Sequence, residues 1–276
     1  MFELAAVLAA FSFGFGTFLT KGVTSQISFL KSIGPLFLLN ALFATPIALY
    51  QRNWILFDHE ILYLHLIGAI ISGGAAVLIF GIIARSTASV AAIPQTLTPA
   101  VVLVLAPIFL STSVTPAQII FVIVLIFGSI YPLRKSIPGL RSGTTLAMTL
   151  TSGIASGAVT INIALLGQAG VTLSETLIVR QLVAGLVLMA LFPPKGVNKK
   201  DLIALIRRAS FMSIGWVTYI YAIQNGNVLV IQSIMVTVSL WVIAFEVISQ
   251  RKRPEKSTLA AVALAVVGVI ALILVS

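Results

Sequence analysis

Ten apolar stretches, each long enough or nearly long enough to cross a lipid bilayer, follow one another along this chain with short polar links between them. A helix needs about 20 residues to cross hydrocarbon. No water is present there to satisfy backbone N–H and C=O groups, so each stretch must close its own hydrogen bonds as a helix. The stretches run Phe2–Thr20, Ser32–Tyr50, Ile61–Ala84, Ala88–Leu110 and Ala117–Leu133. After a polar link over Arg134–Ser142 come Thr144–Gly167, Leu173–Leu191, Ala209–Gln224, Val228–Ser249 and Thr258–Val275. Of 276 residues 59% are hydrophobic and 9% charged, against roughly 25% charged in soluble domains, which excludes a soluble globule. The expected fold class is an all-α integral membrane protein of about ten transmembrane helices. Met1–Ala6 holds Glu3 and no basic run, so the first stretch is expected to stay as a membrane helix and not to act as a cleaved signal.

The second half of the chain repeats the first. Shifted by 149 residues, Ser25 to Lys31 lies over Ser174 to Arg180, with serine on serine and base on base. A shift of 141 sets Glu60-Ile61-Leu62 over Asp201-Leu202-Ile203, Gly74 over Gly215, Thr96 over Thr237 and Thr98 over Ser239; a shift of 140 sets Gly128 over Gly268. The order of these matches along the chain fits one duplicated unit, residues 1–137 and 138–276. Five crossings is an odd number, so the second unit must insert upside down, as two inverted five-helix repeats around a central cavity.

Short motifs carry a family resemblance. Phe13-Gly14-Phe15-Gly16 with Lys21, then Thr87 to Ala92 followed by Thr98-Pro99-Ala100-Val101, Gly128, and in the second half Arg180 and Gly268, resemble the EamA-type repeat of the drug/metabolite transporter superfamily over essentially the whole chain. The resemblance implies ten helices around a cavity that opens alternately to each side. The chain departs from the family pattern at the ends of the fourth and ninth spans. A Gly-Glu pair is usual there, whereas this chain has Ser111-Thr112 and Arg251-Lys252-Arg253. No role of those glutamates is carried over.

The formal charge of +10 sits between apolar runs and forms no patch on a folded domain, so it signals topology and no nucleic-acid partner. Fifteen of the seventeen basic residues, Lys21, Lys31, Arg207 and Arg208 among them, flank the odd-numbered loops, and only Arg52 and Arg180 fall on the even side. The positive-inside rule then puts both termini outside a plasma membrane, although the family resemblance implies termini inside. The charge bias is taken as the stronger signal because it sums over five loops and acts directly on insertion. With no cysteine and no cluster of His, Asp and Glu, neither a metal site, a cofactor nor a catalytic residue is expected.

Polar side chains inside hydrocarbon cost energy, by contested scales about 2.5 to 3.5 kcal/mol for a central charge, and so mark candidate sites. Gln232, Ser239 and Glu246 recur every seven residues and would share a face of the ninth helix. Gln95 and Thr98 would present a matching stripe on the fourth. Glu246 suits a proton carrier or counter-charge, against the alternative that it snorkels toward Arg251. Arg180, two turns inside the seventh helix, suits a substrate carboxylate or an internal acid, against the equal alternative of a structural link to helix ends or lipid headgroups. Trp216 and Tyr219 share a face of the eighth span, which at about 16 residues reads as short, a feature of transporter sites. Thr172 and Glu175 have capping-box spacing. Near Trp54, His65 has no second ligand at helical spacing and reads as structural. Gly153 and Gly157 form a small-residue face for close helix packing.

The leading expectation is a secondary carrier, not an enzyme, for small polar or amphipathic, amino-acid-like metabolites, with proton coupling carried as part of it and the chain a monomer or homodimer in the bilayer. The alternatives are a multidrug or organic-cation exporter, a membrane enzyme, for which no converging acid and base are found, and a channel, for which no ring of like residues is found. Sugar phosphates and nucleotides would want more counter-charge than one or two residues supply. A single cysteine introduced at Ser276 is expected to react with an impermeant maleimide in intact cells. Protection there would reverse the topology.

Overall fold

The computed structural model describes residues 1–26, 28–51, 53–56, 58–86, 88–133, 142–249, 251, 263 and 267. Among them the chain forms α1 (Phe2–Gln26), α2 (Phe29–Tyr50), α3 (His59–Arg85), α4 (Ala88–Leu110), α5 (Pro116–Leu133), α6 (Gly143–Gln168), α7 (Leu173–Leu191), α8 (Lys199–Asn225), α9 (Val228–Met235) and α10 (Val238–Ser249). Seven spans are long and apolar enough to cross a membrane: α1 to α4, α6, α7, and α9 with α10 taken together. The expected tenth span, Thr258–Val275 with Gly268, lies outside the described residues except for Ala263 and Val267, as does most of the polar link between the halves.

The eighth span is not short. It is a helix of 27 residues, the same length as α3, and hydropathy missed its first turns because Lys199, Lys200, Asp201, Arg207 and Arg208 stand there. Its start is fixed by side chains. Asn198 Oδ1 accepts from Lys200 N at 2.9 Å and Asp201 N at 3.0 Å, while Asp201 Oδ2 accepts from Asn198 N at 2.9 Å, a reciprocal capping box. Asp58 caps α3 in the same place, accepting from Glu60 N at 2.9 Å. At the start of α7 only half of the expected box forms: Thr172 Oγ1 accepts from Glu175 N at 3.3 Å, but the Glu175 carboxylate turns away to Ile55 N, 3.0 Å.

Polar ties at the helix ends define two faces of the bundle. On one, Lys21 Nζ donates to Ile83 O at 2.9 Å and Ser86 O at 2.6 Å, and Lys31 Nζ to Lys195 O at 3.3 Å. On the other, Trp54 Nε1 donates to Gln51 O and to Ser174 Oγ, and Gln51 Oε1 accepts from Ser174 N. The helices pair across the halves. α1 runs antiparallel to α8, with Phe2 on Tyr221 at one end and Thr20 on Arg208 at the other. α3 runs antiparallel to α6, with Leu64 O on Asn162 at one end and Arg85 on Met148 at the other. α1 and α6 therefore cross the bundle in opposite directions.

The ninth span is broken between α9 and α10. Around the break the backbone bonds shorten to three residues, Thr237 N to Ile234 O at 3.0 Å and Leu240 N to Thr237 O at 3.0 Å, a local tightening of the helix. Hydroxyls support the carbonyls there: Thr237 Oγ1 donates to Ile234 O at 2.7 Å and Ser239 Oγ to Val236 O at 2.9 Å. Their repeat counterparts do the same beside the prolines of α4, with Thr96 Oγ1 on Ile93 O at 2.7 Å and Thr98 Oγ1 on Pro94 O at 3.1 Å.

Glycines set the closest helix contacts. A Cβ at Gly157 of α6 would lie 2.5 Å from Val101 Cγ1 of α4, and one at Gly153 would lie 3.2 Å from Leu97 Cβ, so the small-residue face is the α4–α6 seam. Gly74 has open space where its Cβ would be. Gly157→Ala is expected to destabilise the detergent-solubilised protein by about 1–2 kcal/mol, overpacking outweighing helix propensity. Gly74→Ala is expected to hold or raise the melting temperature in the same thermal denaturation.

Candidate functional site

A cavity opens at the centre of the bundle, with walls from α1, α2, α3, α4, α6, α8, α9 and α10. Both halves and both sides of the break contribute: Gln232 and Met235 come from α9 and Val238 from α10. The walls are mostly apolar, and one side is aromatic. Phe13 of α1 meets Trp216 edge-on with ring centroids 5.0 Å apart and Tyr219 at 5.8 Å, and Trp216 and Tyr219 are 5.9 Å apart. Such edge-to-face packing holds the rings in fixed orientations.

Polar groups gather in two places on the wall. In the first, Gln232 Nε2 donates to Thr160 Oγ1 at 2.7 Å and also to Tyr219 Oη, while the two hydroxyls share a bond of 2.7 Å. The triad joins α6, α8 and α9, and Gln232 Oε1, though buried, accepts no hydrogen bond from the described residues. A buried acceptor without a donor is costly, about 1–3 kcal/mol, so the triad offers an unused polar contact. In the second, Arg208 Nε donates to Thr20 Oγ1 at 2.5 Å and the guanidinium lies 4.7 Å over the Phe80 ring. Asn40 Oδ1 accepts from Ser213 Oγ at 3.2 Å on the same helix.

Of the residues singled out in the sequence, Gln95, Thr98, Trp216, Tyr219 and Gln232 line this cavity. The Thr98 hydroxyl is directed to Pro94 O. Ser239 and Glu246 are not on the wall. The helical break rotates α10 relative to α9, so the heptad spacing does not keep them on the face of Gln232. Ser239 is buried with its hydroxyl on the backbone. Glu246 instead accepts from Ser89 Oγ at the start of α4. Arg180 is 1% exposed and also off the wall, but its guanidinium lies 4.5 Å over the Trp216 ring. None of its three side-chain nitrogens has a hydrogen-bond partner among the described residues.

Two features were missed in the sequence. Arg208 had been counted among loop charges, yet it is 6% exposed and faces the cavity. The repeat carried the signal, since the 141-residue shift sets Arg208 over Ile67, well inside α3. His65, read as a lone structural residue, has Nε2 3.5 Å from Glu175 Oε1, and both side chains are fully buried. Among the described residues no group of three His, Cys, Asp or Glu converges to hold a metal ion.

The family model described as EamA-like transporter family matches residues 1–133 and 143–274. The chain belongs to the EamA-like transporter family. Its two matched segments are a two-repeat membrane fold, and the chain is a membrane transporter, not an enzyme, with a small-molecule substrate. A crystal structure of a protein 14% identical in sequence matches with a TM-score of 0.77, covering 98% of this chain and 96% of that one, and the likeness is one of fold. No curated protein matches the chain.

Tyr219→Phe deletes the hydroxyl shared by Thr160 and Gln232 and leaves the buried amide short of a partner. The expected result is a loss of about 1–2 kcal/mol, read as a lower melting temperature in detergent, with helix content by circular dichroism unchanged.

Proposed function

We propose that this EamA-like transporter is a secondary carrier that moves small polar or amphipathic metabolites, amino-acid-like in size, across the plasma membrane by alternating access. The observation that carries the reading is a central cavity walled by both halves and crossed by the α9–α10 break. Discontinuous helices place backbone and side-chain polar groups at the membrane midplane and give a bundle a point at which to rock. The duplicated halves, 1–137 and 138–276, run in opposite directions, so tilting one against the other exchanges the open side. Gln232, Tyr219, Trp216, Gln95 and Thr98 form the substrate wall in this reading.

Proton coupling is assigned to the His65–Glu175 pair, which joins α3 to α7 outside the cavity. A fully buried imidazole facing a carboxylate across 3.5 Å can hold one proton between them, and its release changes the charge that links two helices from different halves. Glu246, bonded to Ser89, serves in this reading as a latch between α4 and α10 and not as the carrier of the proton. The orientation remains the one the loop charges favour, with both termini outside. Arg208 leaves that count without changing its sign.

Purified protein in proteoliposomes is expected to exchange labelled substrate in counterflow, and Gln232→Leu is expected to lower that exchange at least ten-fold. Glu175→Gln is expected to keep counterflow but to abolish accumulation driven by an imposed pH gradient. Accumulation by Glu175→Gln equal to wild type would remove the pair from coupling. Flux that does not saturate would replace the carrier by a channel.

A further inference from the structure

We infer that the occupant of the cavity is an amphipathic organic monocarboxylate without a free ammonium group, its carboxylate held by the terminal nitrogens of Arg208. The inference rests on the reading of the cavity as the transport site and deepens it by naming the substrate class.

Charge accounting leads there. The chain has seven acidic residues, and six are described. Glu3 bonds the N-terminal ammonium, Asp58 and Asp201 cap helices, Glu60 is exposed, Glu175 faces His65 and Glu246 accepts from Ser89. None of them lines the cavity. The one charge on the wall among the described residues is Arg208. A guanidinium that is buried without an internal acid is uncompensated, and an anionic ligand supplies what the protein withholds.

The geometry of Arg208 suits a carboxylate. Its Nε is fixed on Thr20, whose own hydroxyl donates to Gly16 O at 2.7 Å, and its plane rests on Phe80. The fork is thus held in place, while no described residue bonds its two terminal nitrogens. A planar fork with two parallel N–H groups matches the two oxygens of a carboxylate. Trp216 lies eight residues along α8, about 12 Å at 1.5 Å per residue. An apolar body extending from the carboxylate therefore reaches the ring cluster of Phe13 and Trp216. Arg180, stacked on Trp216 and without hydrogen-bond partners among the described residues, adds positive potential at that end and opposes an ammonium there. An ammonium would find no described carboxylate anywhere on the wall, so amines and organic cations are disfavoured.

Calorimetric titration of the full chain in detergent with four matched probes tests this: 3-phenylpropionate, 3-phenylpropionamide, phenylalanine and 3-phenylpropylamine. The expected order is the carboxylate tightest, at least ten-fold tighter than the neutral amide, with phenylalanine weaker than the carboxylate and the amine weakest. Arg208→Gln is expected to bring the carboxylate down to the affinity of the amide and to leave the amide unchanged, and Arg208→Lys to keep part of the preference. Should a variant fail to fold, the order on the unaltered protein decides. Phenylalanine or the amine binding as tightly as 3-phenylpropionate, or a carboxylate preference that survives Arg208→Gln, overturns the inference and leaves the carrier reading standing. Counterflow that proceeds with none of the four bound also overturns it. Absence of both binding and counterflow removes the carrier reading itself.

Discussion

Hydrocarbon offers a peptide group no hydrogen-bond partner, and the rest of this structure follows from that constraint. Helices satisfy it within each span. Where the ninth span departs from regular helix, the chain supplies its own remedy. The backbone tightens to three-residue bonds, and the hydroxyls of Thr237 and Ser239 cover the carbonyls of Ile234 and Val236. In the fourth span, beside Pro94 and Pro99, the hydroxyls of Thr96 and Thr98 likewise donate to backbone carbonyls, those of Ile93 and Pro94. Of these four residues, Thr98 and Ser239 look from their spacing like part of a polar stripe. In the folded chain all four hydroxyls donate to backbone carbonyls one turn back.

The same constraint makes the remaining polar atoms conspicuous. Capping accounts for Asp58, Asn198 and Asp201, and interfacial ties account for Lys21, Lys31 and Gln51. Among the described residues, what is left over includes the Gln232 carbonyl on the cavity wall and the Arg180 guanidinium beside it, with His65, Glu175, Asn162 Oδ1 and the Gln181 amide away from the wall. A transporter needs polar contacts that are made with the cargo and not with the protein itself, because a site that satisfies itself has no reason to bind.

Much of the fold was legible because hydropathy and helix length measure the same thing in a bilayer. The first seven spans and the outer limits of the ninth agree with their apolar runs to within a few residues, apart from extensions at polar ends such as Lys21 to Gln26 on α1. The eighth did not, since Lys199 to Arg208 look like a loop when charge alone is read, and only the capping pattern Asn198…Asp201 and the repeat shift place them in a helix. Gln95, Trp216, Tyr219 and Gln232 lie together on the cavity wall because a helical face survives in regular segments. Ser239 and Glu246 lie off that wall: no glycine or proline marks the break at Val236-Thr237, and periodicity cannot be carried across it. The partner of Gln232, Thr160, lies 72 residues away on a helix whose sequence carries no sign of that contact. His65 and Glu175 meet only because α3 and α7 pack.

The cross-half pairing of α1 with α8 and of α3 with α6 also bears on how the chain is made. Each repeat is a unit of ancestry, but its main packing partners lie in the other repeat. When the first half leaves the ribosome, α1 and α3 have inserted while α6 and α8 are still to come, and their buried faces, with Thr20 and Ser72 among them, wait in lipid. The first half thus waits for its partners until α8 ends at Asn225, roughly 90 residues later, which at about 5–20 residues per second is a delay of roughly 4–18 seconds.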